Sequence, residues 1–239
     1  MMVYHDKDSE MRLRLLSVDV LREIKKILTY KEMSSILGIQ ESLLCRYVNG
    51  NTIPSEIQAR EIIKKVREER LLVNFLRGQI QVYEDGFVDT HVLLNFPSLL
   101  KLAIEVYMNK YIDRRKVDKV VTPAVNGVPF ATMVSLILDR PLLLVKKYKD
   151  STHIDYLEEN LKESSSVVAN LYLRKDAIRK GENVLIVDDV IRTGKTISHL
   201  ASLVTKGGGN VRTVFSIVKA GTHIDVPEVL DIKSIVTLQ

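Results

Sequence analysis

The chain has 239 residues, 46% hydrophobic and 27% charged, with 35 Lys+Arg against 30 Asp+Glu for a formal net charge of +5. This composition supplies a core and excludes wholesale disorder, the length suits one large domain or two modest ones, and a surplus of five charges permits a polyanionic partner without demanding one. The single cysteine, Cys45, excludes an internal disulfide framework, while residues 1–11 do not look like a secretory signal and the most apolar stretch, Val134–Val145, is broken by Asp139-Arg140-Pro141. A soluble, cytoplasmic protein with no membrane partner is expected.

Up to about residue 80 the period is helical. Leu13, Leu16, Val20, Ile24 and Ile27 are spaced 3, 4, 4 and 3, which places them on one face of a helix. Pro54 fits the first turn of another helix, continuing through Ile62, Ile63 and Val66. The charged run Lys64–Arg70 reads as the solvated face of that helix or as a connection between domains. Between these helices lies Tyr30–Asn49. A helix-turn-helix needs a small residue in its first helix, a glycine at the turn and apolar brackets. Ser34, Gly38 and the set Met33, Leu37, Ile39, Leu44 and Tyr47 stand at those positions. The segment resembles the Cro/repressor class, and Asn49-Gly50-Asn51-x-x-Pro54 is similar to that class too. The resemblance implies that the second helix enters the major groove of double-stranded DNA, with Gln40, Glu41, Ser42, Arg46 and Asn49 as contacts. Glutamine suits adenine, and arginine suits guanine or phosphate. Residues 1–80 hold 14 Lys+Arg and 11 Asp+Glu, a difference of +3 that adds only mild support.

From about residue 85 the period changes. Phe87–Val92 alternates like a strand, and Pro97–Tyr111 reads as a helix. Short apolar runs then alternate with helical segments: Lys119–Thr122, a helix near Val128–Leu138, Leu142–Val145, Val184–Val187, a helix from about Gly194 to Thr205, and Val211–Val218. Continuous β-branched runs separated by helices predict a parallel sheet covered on both faces. The segment Lys149–Arg174 interrupts this rhythm and reads as a hairpin or mobile loop. Two domains follow, residues 1–80 and 81–239.

The most informative string is Val184-Leu-Ile-Val-Asp-Asp-Val-Ile-Arg-Thr-Gly-Lys-Thr. A buried strand delivers Asp188 and Asp189 to the sheet edge where open α/β sheets bind ligands. The following loop, with Arg192, Thr193, Gly194, Lys195 and Thr196, opens a helix whose first N–H groups and dipole favour a phosphate. Acids repel phosphate, so the pair suits vicinal ribose hydroxyls or a divalent cation held through water. Together they describe a ribose 5-phosphate. The tail Thr-Gly-Lys-Thr imitates a Walker A loop, but Asp189 stands where that loop needs its first glycine.

This string resembles the phosphoribosyl diphosphate (PRPP) motif of the type I phosphoribosyltransferases. The resemblance implies that Ala124, Val125, Asn126 and Gly127 form a pyrophosphate loop, that Lys146 and Lys147 lie near the pyrophosphate, and that Mg2+ accompanies PRPP. It also places Lys149–Arg174 where the family has a flexible loop over the site. Here that loop carries His153 among Asp155, Glu158, Glu159 and Glu163. A negative lid is poorly suited to a departing pyrophosphate, so binding residues are expected without a catalytic set, and with no protein metal site.

A DNA-reading module followed by a PRPP-binding module resembles the archaeal phosphoribosyltransferase-like regulators. That resemblance implies a dimeric transcription regulator responding to PRPP or a nucleotide. Two alternatives stay open: an active phosphoribosyltransferase making a nucleotide from a base and PRPP, and an enzyme whose N-terminal helices serve only dimerisation.

Overall fold

The structure, a computed structural model, describes residues 7–162, 168–221 and 224–238. They group into two units: residues up to Gln81 with His91–Val106, and Val82–Thr90 with Tyr107 onward.

The first unit is helical. Helix α1 (Lys7–Lys25) buries Leu16, Val20, Leu21 and Ile24. Ile27, expected on that face, lies past the helix end and is exposed. The N–H groups of Ile27 and Leu28 both turn back onto the Ile24 carbonyl, and the chain then becomes extended at Thr29. The Thr29 hydroxyl accepts from the Glu32 N–H while the Glu32 carboxylate accepts from the Thr29 N–H at 2.7 Å. This reciprocal cap starts α2 (Tyr30–Leu37). Gly38 ends α2 with φ 69°, its N–H on the Ser34 carbonyl, a conformation that glycine adopts without the cost a Cβ would add. Helix α3 (Glu41–Val48) follows, and Met33, Leu37, Leu44 and Tyr47 are all buried.

Pro54 does not enter the next helix. Ser55 caps α4 (Glu56–Glu68) reciprocally with Gln58, and the Pro54 carbonyl accepts from Arg14 Nε at 2.8 Å. A serine hydroxyl satisfies a free N–H of the first turn, which proline at that place cannot do. The run Lys64–Arg70 is not a connection between domains. It completes α4 and then, through Arg70 at φ 54°, starts α5 (Leu71–Gln79). The sequence pattern did not mark α5, which buries Leu72, Val73 and Leu76.

A short ribbon follows α5, β1 (Gln81–Val82) and β2 (Val88–Asp89), of which Val82 onward belongs to the second unit before the chain returns to the first at His91. The strand expected over Phe87–Val92 is thus cut to two residues, and His91–Asn95 is a 3-10 helix. The alternation does bury Val88 and Thr90. The Thr90 hydroxyl, however, is engaged by a distant carboxylate, and the chain turns there instead of continuing a ladder. Helix α6 (Pro97–Tyr111) matches its expected span.

Five parallel strands then build the main sheet: β3 (Lys119–Pro123), β4 (Leu142–Val145), β7 (Asn183–Ile191), β8 (Asn210–Ala220) and β9 (Asp231–Leu238), in the order β4-β3-β7-β8-β9. Their pairings are all parallel. Helices α7 (Val128–Leu138) and α8 (Lys195–Lys206) supply two of the connections. Val184 and Ile186 pack with Leu200, Leu203 and Val204 of α8. The alternating residues Leu185 and Val187 point to the other face and are also buried, so both faces are covered. Strand β9 was not anticipated. Asp231, Lys233 and Ser234 interrupt its apolar residues, as suits an edge strand.

The interruption at 149–174 is a hairpin, β5 (Tyr156–Lys162) and β6 (Val168–Arg174), antiparallel from Tyr156↔Arg174 to Lys162↔Val168. Glu159 ties it to α8 through Lys206 at 2.9 Å and through the Ser202 hydroxyl. His153 is in a turn whose N–H bonds the Ser151 hydroxyl, and Glu163 lies outside the described residues. No helix among the described residues is long and apolar enough to cross a membrane.

Candidate phosphate-binding site

The strand order reverses between β3 and β7: β4 continues from β3 on one side, and β8 and β9 continue from β7 on the other. That is where an open α/β sheet leaves a crevice at its carboxyl edge. The segments leaving β3 and β7 there are Ala124–Gly127 and the Asp188–Thr196 loop.

Asp188 and Asp189 are still within β7 and nearly buried, 7% and 9% exposed. Burial pushes the Asp188 carboxyl well above the ordinary carboxylate range, and the adjacent Asp189 charge pushes the same way. The Asp189 N–H donates to Asp188 Oδ1 at 2.9 Å. Thr90 Oγ1 donates to Asp189 Oδ2 at 2.8 Å across 99 residues of sequence. Two more hydroxyls belong to this neighbourhood. Ser216 stands opposite Asp188 in the β7–β8 register. Thr122 Oγ1 and Asp188 Oδ1 both lie within 3.0 Å of the point where a Cβ on Gly127 would be. Both hydroxyls are buried without a hydrogen-bond partner among the described residues. Sequence reading missed Thr90, Thr122 and Ser216 as parts of the site. A lone hydroxyl residue carries no local signal, and only the folded chain brings these three to the acids.

The loop after β7 is shaped by Gly194. It has φ 84°, and a Cβ there would fall 2.7 Å from the Asp225 carbonyl and from Val226 Cγ1. Only glycine fits. The first intrahelical bond of α8 runs from the Ser198 N–H to the Gly194 carbonyl at 2.9 Å. Of the N–H groups before it, that of Lys195 reaches Thr193 Oγ1 at 3.5 Å, and those of Thr196 and Ile197 have no intrahelical partner and suit an anion. Asp188, Arg192, Thr193, Gly194 and Thr196 line one cleft of about 290 Å³. Arg192 and Lys195 are exposed cations on this loop, and Arg192 Nη2 rests against Gly86.

Across the switch point, Gly127 is buried while Val125 and Asn126 are exposed, and the Ala124–Val125 peptide is cis. With Gly127 beside Asp188, this loop stands next to the acid pair. Lys146 does not line the acid cleft. Its ammonium pairs with Asp150 at 2.9 Å, which raises its pKa, and it borders a different cleft of about 210 Å³ with Tyr156 and Tyr172. Lys147 is exposed beside it. Among the described residues no group of three or more His, Cys, Asp or Glu could hold a metal ion.

In the helical unit, Gln40, Glu41, Ser42, Arg46 and Asn49 are all exposed on α3 and its ends. Asn49 Nδ2 donates to Cys45 Sγ at 3.2 Å. Tyr47 holds α3 from within, donating its hydroxyl to Gln58 at 3.0 Å.

The sheet, its switch point and the acid-and-glycine loop define a parallel α/β domain with a candidate anion-binding crevice at its carboxyl edge. Residues 94–235 match the phosphoribosyl transferase domain, and the chain belongs to that family. It is 31% identical over 160 residues to the purine biosynthesis transcriptional activator PurR of Lactococcus lactis, a match covering 64% of this chain and 59% of that protein. The chain thus spans about three-fifths of the length of that regulator. It is 32% identical over 162 residues to the hypoxanthine/guanine phosphoribosyltransferase of Methanobrevibacter ruminantium, covering 68% of this chain and 83% of that one. Among solved structures, the adenine phosphoribosyltransferase of Thermoanaerobacter pseudethanolicus superposes with a TM-score of 0.62 at 25% identity, over 70% of this chain and 99% of the other.

Proposed function

We propose that this chain is a DNA-binding transcription regulator whose phosphoribosyltransferase-like domain binds PRPP or a nucleotide as effector. The observation that carries the reading is the presence, in one chain, of two short helices turning at Gly38, the second with an exposed polar face, and of the acid pair with its glycine loop. Likeness to a regulator of purine biosynthesis supports it.

In this reading Asp188 and Asp189 take the ribose hydroxyls, and Thr193, Gly194 and Thr196 with the first turn of α8 take the 5-phosphate. Ala124–Gly127 meets the pyrophosphate. Any Mg2+ arrives with the diphosphate. Asp188 and Asp189, with no third His, Cys, Asp or Glu grouped with them among the described residues, would be the groups to hold it. Gln40, Glu41, Ser42, Arg46 and Asn49 read the major groove, two copies forming a homodimer with half-sites about 34 Å apart. PRPP changes DNA affinity only by binding one arrangement of the two recognition helices better than another. Isothermal titration with PRPP, ribose 5-phosphate and nucleoside monophosphates tests the effector. Saturable PRPP binding that vanishes in Asp188→Asn/Asp189→Asn is expected.

The second reading, an active phosphoribosyltransferase, is favoured by likeness to the purine phosphoribosyltransferases. Against it stands the hairpin. Glu158 and Glu159 are engaged with Lys149 and Lys206, and among the described residues this element places no basic group in the lining of the acid cleft. Incubation with PRPP and each common base separates the two, and robust nucleotide formation would favour the enzyme.

A further inference from the structure

A cleft at the opposite, amino edge of the sheet shares no lining residue with the acid cleft. It is about 460 Å³, within the range of small-molecule sites. Its floor is apolar, built from Ile112, Val117, Val184 and Leu185. Its rim carries Lys116 and Arg212, two exposed cations with no ion-pair partner among the described residues. The acid on the rim, Asp113, is already occupied. It accepts from the Arg115 N–H at 3.1 Å and pairs with the Arg115 side chain, and these contacts, with the nearby Lys116 charge, lower its pKa. Asn183 is likewise committed, its N–H donating to Asp118 Oδ2 at 2.8 Å. Tyr111 adds a ring at the wall, with Lys110 and Lys233 ammonium groups 5.1 and 5.5 Å from its centroid.

A second feature falls on the same place. In the β7–β8 ladder, Val184 pairs with Val211 but Ile186 pairs with Val214. Strand β8 therefore carries one extra residue opposite Leu185, a bulge at Arg212–Thr213. A bulge re-aims side chains and is favoured beside functional sites. Here it brings both bulged residues to the lining of the cleft.

We infer that this cleft is a second ligand site, for a small phosphate monoester bearing a flat apolar group. Lys116 and Arg212 hold the phosphate, and Ile112, Val117 and Leu185 receive the apolar part. Two exposed cations on the rim of a solvent-open apolar floor, neither within 4.0 Å of a carboxylate among the described residues, satisfy both halves of such a ligand. The inference does not depend on the proposed regulatory function.

The test titrates the full chain with phenyl phosphate, and separately with phenol, while backbone amide shifts are followed by NMR. Phenyl phosphate should move the amides of residues 111–117, 183–185 and 210–213 along a saturable curve, and phenol should leave them nearly unmoved. Lys116→Gln/Arg212→Gln, which alters only exposed side chains, should weaken that curve at least tenfold and leave the amides of residues 192–197 responding to PRPP as before. Shifts confined to residues 192–197, equal shifts with phenol, or unchanged affinity in the double variant would overturn the inference.

Discussion

Thr90 and Asp189 are joined by a buried hydrogen bond, hydroxyl to carboxylate, at 2.8 Å. The donor follows the two-residue strand β2 and the acceptor lies in the central strand of the sheet. This bond holds the Asp189 carboxylate through its Oδ2 beside Asp188. Hydrogen bonds to charged groups contribute about 1.5–3 kcal/mol. Thr90→Val, which keeps the shape and removes the donor, should weaken PRPP binding by about tenfold in isothermal titration.

Asp188 makes stability depend on pH. Its folded pKa is raised, chiefly by burial. The native state therefore holds a proton that the unfolded chain releases above the ordinary carboxylate pKa. Stability from this group is complete below that value and is lost as pH rises toward the folded pKa. Asp188→Asn, a neutral isostere, should gain melting temperature relative to the parent chain as pH is raised from about 4 to 8. A melting series of both proteins across that range checks it, and the gain should shrink toward zero at the acid end.

Gly194→Ala should be costly in two ways. The residue has φ 84°, and its Cβ would meet the Asp225 carbonyl at 2.7 Å. Loss of about 1–3 kcal/mol of stability, seen in urea titration, should accompany loss of phosphate binding at the α8 N-terminus.

Arg46→Ala should weaken DNA binding and leave PRPP binding unchanged, because Arg46 is exposed on α3 in the other unit. If it contacts a phosphate, the slope of log affinity against log salt should fall by about 0.9. Fluorescence anisotropy at several salt concentrations measures this.

The parts of the molecule legible in the sequence are those whose signals are local. The β-branched run before Asp188, the helix after Gly194 and the turn at Gly38 each carry their pattern within a few residues. Helix α5 was hidden because Lys64–Arg70 looks like a linker until Arg70 is seen to start a new helix. Strand β9 was hidden by the charges an edge tolerates. In the site, Asp188, Asp189 and Gly194 could be named from spacing. Thr90, Thr122 and Ser216 could not, since their role arises from contacts between segments far apart in sequence. Lys146 was expected near a pyrophosphate, but Asp150, four residues on, holds its ammonium.

The most direct test of effector-controlled DNA binding is anisotropy of labelled DNA from upstream of the chain's own gene, titrated with the full protein at several PRPP concentrations. PRPP should change the DNA affinity at least fivefold in the parent chain, and in Asp188→Asn/Asp189→Asn the DNA should still bind while the response to PRPP disappears. No binding of that DNA at any PRPP concentration, or binding that PRPP leaves unchanged, would contradict it.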